Sequence, residues 1–139
     1  MTTMQSILHT LKESAPDYHE AMLINAPRID AADSDVESLL RGWACLFGHT
    51  LRERGNPFRW ISHDEAVEWI KVHLTHDLVF ATPGMDEQQA LDLTMQLLGP
   101  MGQVKAVASD FTISDWTFCD LLIVSNESTT LLLAFLGED

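Results

Sequence analysis

Two runs near the C-terminus constrain this chain more than any other feature. Residues 116–124 (WTFCDLLIV) and 129–136 (TTLLLAFL) are apolar at odd and even positions alike. Side chains alternate between the two faces of a strand, so a strand apolar on both must be covered on both. That places each run inside a sheet rather than at its rim. Ser125-Asn126-Glu127-Ser128 separates them, a polar break with an asparagine suited to a left-handed turn position. The pair reads as an antiparallel hairpin in the middle of a sheet. Upstream, 103–109 (QVKAVAS) is more polar and is expected nearer an edge, with Phe111-Thr112-Ile113 prolonging it or opening the next connection.

The first hundred residues read mostly as helices. One over 4–14, capped by Thr3, puts Ile7, Leu8 and Leu11 on one face. Pro16 ends it, and 17–25 is expected to be a second short helix with Tyr18, Met22 and Leu23 inward, broken at Ala26-Pro27. Asp33 or Ser34 caps a third, expected to reach about Arg54, with Val36, Leu39, Leu40, Trp43, Leu46, Phe47 and Leu51 as its apolar stripe. Gly42 and Gly48 argue against one unbroken helix, and Gly55-Asn56-Pro57 stops it. A short aromatic connector, 58–61, follows. Ser62 with Glu65 three residues on is a capping box, opening a helix to about His76 that buries Val67, Ile70 and Leu74 with Trp69 nearby. Residues 78–81 (LVFA) are a candidate fourth strand. A helix over 86–98 is expected to turn Leu91, Met95 and Leu98 inward before Gly99-Pro100 closes it. Helices first and strands last is an α+β order: N-terminal helices packed on a mostly antiparallel C-terminal sheet of three or four strands. A length of 139 residues suits a single domain.

The net charge of −13 is unevenly spread. Residues 1–60 hold eight acids and six bases, a net of −2; residues 61–139 hold thirteen acids and two bases, a net of −11. Direct nucleic-acid binding needs a basic footprint, which the second half lacks. A field of this sign favours a cationic partner, or serves solubility alone. No segment approaches the roughly 20 uninterrupted apolar residues of a spanning helix. Residues 1–13 lack a basic start followed by an apolar core, so no signal peptide and a cytoplasmic location are expected. Cys45 and Cys119 lack metal-ligand spacing and sit in apolar runs, so both are expected to be buried thiols.

Chemical motifs are few. His73 and His76 beside Asp77 offer neighbouring ligands, but no third distant partner is evident, and a histidine pair at a helix end is the simpler reading. Cys45 and His49 stand four apart, as a thiolate pair or as a packed thiol beside a histidine. There is no nucleophile elbow, phosphate-cradling loop, HExxH or CxxC pattern, so neither a cofactor, a metal nor an enzymatic activity is expected. Asp110, Asp115 and Asp120 recur every five residues, as for acid–base or Mg²⁺ chemistry, yet that spacing fixes no common face. Asp120 stands apart: on a strand it shares a face with Trp116, Phe118 and Leu122. A carboxylate there marks either a buried hydrogen bond or an exposed binding face.

With its size, its charge and the closing pattern Asp115-Trp116 … Asp120-Leu121-Leu122-Ile123-Val124 … Leu131-Leu132-Leu133-Ala134-Phe135-Leu136, the chain resembles the immunity proteins of contact-dependent and other polymorphic bacterial toxin systems. The resemblance implies a small cytoplasmic protein that caps the cationic cleft of a toxin domain, often a nuclease. It implies carboxylates and an aromatic anchor at the contact, here Asp110, Asp115, Trp116 and Glu127, with Asp86 and Glu87 as a neighbouring patch. Two other readings stay open. One is an acidic chaperone of the type III secretion kind, a dimer that wraps an unfolded effector, although no C-terminal helix follows the sheet here. The other is a small enzyme or ligand-binding domain, which needs a concave pocket.

Overall fold

The computed structural model describes residues 4–14, 18–24, 33–52, 58–76, 83–109, 112–113 and 118–137. The apolar hairpin is its centre. Strands β6 (Phe118–Ser125) and β7 (Thr130–Gly137) pair antiparallel over eight residues, from Phe118 opposite Gly137 to Ser125 opposite Thr130. Asn126 shapes the turn: its Oδ1 accepts from the backbone N–H of Ser128 (2.9 Å) and of Thr129 (2.8 Å). All eight residues of β7 are buried, as a strand apolar on both faces requires.

Around that hairpin lies an antiparallel five-stranded sheet, order β1-β7-β6-β4-β3, with β1 at Tyr18–Ile24, β3 at Phe58–Ile61 and β4 at Lys105–Ser109. A separate ribbon joins β2 (Leu51–Arg52) to β5 (Thr112–Ile113). Three helices cover one face: α1 (Met4–Ser14), α3 (His63–Thr75) and α4 (Glu87–Leu98). They pack Leu11, Ile70, Leu74 and Leu97 on Leu122, Val124, Leu131, Leu133 and Phe135. The opposite face is covered by α2 (Asp33–Phe47), whose Val36, Leu40 and Trp43 meet Leu121, Ile123, Leu132 and Ala134. The fold is α+β with helices mostly N-terminal to the strands. No helix among the described residues is long and apolar enough to cross a membrane.

Several expectations are corrected. The sheet has five strands rather than three or four, because 18–24 is strand β1 and not a helix, and the aromatic connector 58–61 is strand β3. Its short run of mixed polarity satisfies either period, and in-register pairing of all seven residues with β7 decides the matter. Met22 is half-buried there and Leu23 is exposed. β4 lies one strand in from the edge, between β6 and the edge strand β3. Helix α2 ends at Phe47, not near Arg54: Gly48 takes φ +76°, and the His49 N–H donates to Ala44 O at 2.7 Å, a left-handed glycine stop. Leu46 and Phe47 at that end are exposed (70% and 38%) and do not join the apolar stripe. Cys119 is buried, but Cys45 is exposed, since it points away from the side of α2 that carries Trp43. The expected cap at Thr3 and the candidate strand at 78–81 lie outside the described residues.

The capping box forms as read. Glu65 N–H donates to Ser62 Oγ, and Ser62 N–H donates to Glu65 Oε1, both at 3.1 Å. Ser62→Ala is expected to lower the unfolding free energy by about 1 kcal/mol, read as a shift in the urea midpoint. Ser62→Gly, which keeps the backbone accessible to water, is expected to cost only a few tenths.

Candidate functional site

The outer surface of α3 and α4 gathers charge and exposed apolar surface together. Residues four apart on a helix share a face. On α3 such a row is Asp64, Glu68 and Val72; on α4 it is Glu87, Leu91 and Met95. The two helices are bridged where α4 begins, with Lys71 Nζ 3.1 Å from Glu87 Oε1 and 3.2 Å from Glu68 Oε2 of its own helix. Asp64, Glu65, Glu68, Asp86, Glu87 and Asp92 are all exposed, and Lys71 is the basic residue among them. Within these rows Val72, Leu91 and Met95 are 46%, 36% and 49% exposed. A groove of about 450 Å³ opens beside Val72, lined also by Glu68, His76, Pro83, Met85 and Glu87.

The sequence reading had turned Leu91 and Met95 inward. The core face of α4 is instead Ala90, Leu93, Thr94, Leu97 and Leu98. Alanine and threonine weigh little in an apolar stripe, so the row with more hydrophobic bulk looked like the inner one. Thr94 is buried at no polar cost, because its Oγ1 donates to Ala90 O at 2.7 Å.

The carboxylates here are held in place but not neutralised. Asp86 caps α4, its Oδ1 accepting from Gln89 N–H at 2.9 Å. Glu87, and next Glu68, raise the Lys71 ammonium above the ordinary lysine value. Lys71 therefore stays charged throughout the physiological range. Exposed pairs of this kind contribute little to stability and are readily exchanged for a partner's bases.

Of the residues assigned from sequence, Asp86 and Glu87 belong to this surface. Glu127 does not sit beside them. It lies exposed on the β6–β7 turn, in a notch of about 510 Å³ with Met101, Lys105 and Ser128. Glu87 opens α4 and Met101 follows its end, so roughly 18 Å of helix separates the two places. Asp110, Asp115 and Trp116 lie outside the described residues.

Asp120 finds a structural partner. Its Oδ2 is 2.7 Å from His73 Nε2, while His73 Nδ1 donates to the Trp69 carbonyl at 2.7 Å. The imidazole stacks on Trp69 (centroids 3.7 Å, planes 19° apart) and abuts Phe135 at 5.3 Å. Both ring nitrogens are thus engaged, and neither is free for a metal or a substrate. The pair buttons α3 onto β6. Asp120→Ala is expected to cost about 1–3 kcal/mol by leaving that nitrogen poorly solvated, measured by denaturant unfolding. Asp120→Asn, which retains a hydrogen-bonding group, is expected to cost less. His76 is turned elsewhere, its Nδ1 3.0 Å from Thr75 Oγ1.

A second pair was not foreseen. His49 Nε2 lies 2.8 Å from Glu20 Oε1, and both side chains are more than nine-tenths buried. It ties the turn after α2 to strand β1, with the His49 ring 5.0 Å from Trp43. Glu20 thus holds the Nε2 of His49, while Cys45 is exposed on α2. Among the described residues no three His, Cys, Asp or Glu side chains gather to hold a metal ion. No protein-family model matches the chain, and no curated protein or solved structure matches it either.

Proposed function

We propose that this chain is a binding protein that neutralises a cationic protein partner by occlusion, most simply as an immunity protein that caps a toxin domain in the cytoplasm. The observation that carries the reading is the outer side of α3 and α4, whose exposed residues include six carboxylates, one lysine and the apolar Val72, Leu91 and Met95. Apolar anchors inside a charged rim are the usual anatomy of a protein interface. The anchors supply desolvated contact, and the rim supplies sign. A net charge of −13 draws a basic partner in quickly and repels acidic competitors. No step of this function needs a catalytic group.

The reading is tested by titrating the chain against the protein encoded by the adjacent gene across a series of salt concentrations. Tight binding that weakens steeply with salt, together with loss of that protein's activity, supports it. Binding that is absent, or indifferent to salt, counts against it.

A further inference from the structure

We propose that the notch between the start of β4 and the β6–β7 turn is a binding site for a small zwitterion, with a free α-amino acid as its simplest occupant. The notch measures about 510 Å³, within the range of small-molecule sites. Hydrogen bonds brace it on both sides. Asn126 holds the turn through its Oδ1 and donates from Nδ2 to Met101 O at 2.9 Å. Ahead of β4, the Val104 N–H donates to His63 Nδ1 at 3.3 Å. Ser125 Oγ lies 2.9 Å from Thr130 Oγ1 where the hairpin strands meet the turn. A site braced in this way is formed before its ligand arrives, and little ordering is left for binding to drive.

Two charged side chains single this notch out. Among the described lysines and arginines only Lys71 and Lys105 are half-buried. Lys71 holds two carboxylates against its ammonium. Lys105, the first residue of β4, has no ion pair among the described residues, although the chain carries 21 acids to 8 bases. Glu127 lines the same notch without pairing to it. Lys105 stands opposite Ser125 in the β4–β6 ladder, and Glu127 follows two residues later on the turn. A partly desolvated ammonium with no counter-charge gains from an anion brought against it.

Charge selects the class of ligand. A simple anion suits Lys105 but must approach Glu127 and a chain of −13. A simple cation suits the net charge but meets the Lys105 ammonium. A molecule with both charges and no net charge escapes each obstacle, its carboxylate facing Lys105 and its ammonium facing Glu127. Ser128 Oγ donates to Asn126 Oδ1 at 3.3 Å and keeps its acceptor lone pairs for that ammonium. Met101 and Val104, both buried, give the notch its apolar lining and suit an aliphatic side chain. Two charge contacts in an open site correspond to affinity in the millimolar range.

Amide chemical shifts of the full chain, titrated with L-leucine, N-acetyl-L-leucine and L-leucinamide, test this directly. The second probe lacks the cation and the third lacks the anion. The expected result is saturable shifts at Lys105 and Ser128 with L-leucine, and binding of the other two about tenfold weaker or less. Lys105→Met keeps the aliphatic stem and is expected to weaken L-leucine about tenfold while leaving L-leucinamide unchanged. Glu127→Gln, at an exposed turn position, is expected to weaken L-leucine about fivefold and leave N-acetyl-L-leucine unchanged. It carries the test if Lys105→Met does not fold. Glu37→Gln removes the same charge on α2 and is expected to change nothing. No saturable shift with L-leucine up to about 50 mM overturns the proposal. So does equal affinity for L-leucine and N-acetyl-L-leucine, which marks a plain anion site, or L-leucine binding that neither Lys105→Met nor Glu127→Gln weakens. The outcome is independent of the proposed protein partner, since it is read on the chain alone.

Discussion

Glu20→Ala is expected to lower the unfolding free energy by about 3 kcal/mol, a large fraction of the stability of a domain this size. The Glu20 carboxylate and the His49 imidazole are both more than nine-tenths buried and 2.8 Å apart. Truncating one leaves the other in a dry site facing a void, and the cost of an unsatisfied buried group exceeds the net worth of the bond it made. The loss reads as a fall in the urea midpoint of more than about 1 M. Glu20→Gln keeps the shape and a hydrogen-bonding partner, and is expected to cost about 1 kcal/mol or less. Replacing both residues with leucine is expected to recover most of the loss, because an apolar pair carries no desolvation penalty. A Glu20→Ala protein within about 1 kcal/mol of the parent contradicts a buried pair at this corner.

How far the sequence spoke depended on whether a signal was local. The β6–β7 hairpin was legible, because two runs apolar on both strand faces, joined by a short polar turn, admit only an interior placement in a sheet. The capping box at Ser62 and Glu65 was legible for the same reason: both partners lie within one helical turn. The α2 stop was half-visible, since Gly48 was marked as a weak point, but its φ of +76° is not written in the sequence. Strand β1 was misread because seven residues of mixed polarity carry no decisive period. Only pairing with β7, more than a hundred residues away, makes them a strand.

The candidate surface was legible in part. Asp86 and Glu87 were singled out from charge, and they do sit on the acidic α3–α4 face. The apolar half was missed because Leu91 and Met95 look like core residues until the small inner row of Ala90 and Thr94 is seen packed. Asp120 was recognised as needing a partner, and that partner, His73, lies 47 residues earlier on another element. No spacing rule reaches across such a separation. Glu20 and His49 were unreadable for the same reason, 29 residues apart and joined only by the fold.

Reversing charge on the α3–α4 surface is expected to have the largest effect on binding. Glu68→Lys with Glu87→Lys removes two carboxylates that flank the exposed Val72 and Leu91 and adds two bases beside Lys71. If each lost charge pair is worth about 1.4 kcal/mol, affinity for a cationic partner falls roughly a hundredfold at low salt. The fold should survive, since both side chains are exposed and their pairing with Lys71 contributes little to stability. Most of the loss should vanish at high salt, where screening removes both the attraction and the new repulsion. Glu37→Lys on α2 makes the same kind of charge reversal once instead of twice, at a site away from this surface and already paired with Arg41, and serves as the control for charge reversal elsewhere.

The most direct measurement is the affinity of the partner encoded by the adjacent gene for these three proteins at low salt. The expected result is tight binding by the parent and by Glu37→Lys, and roughly hundredfold weaker binding by the Glu68→Lys, Glu87→Lys double variant. Equal affinity for all three would mean that the α3–α4 surface is not where the partner is held.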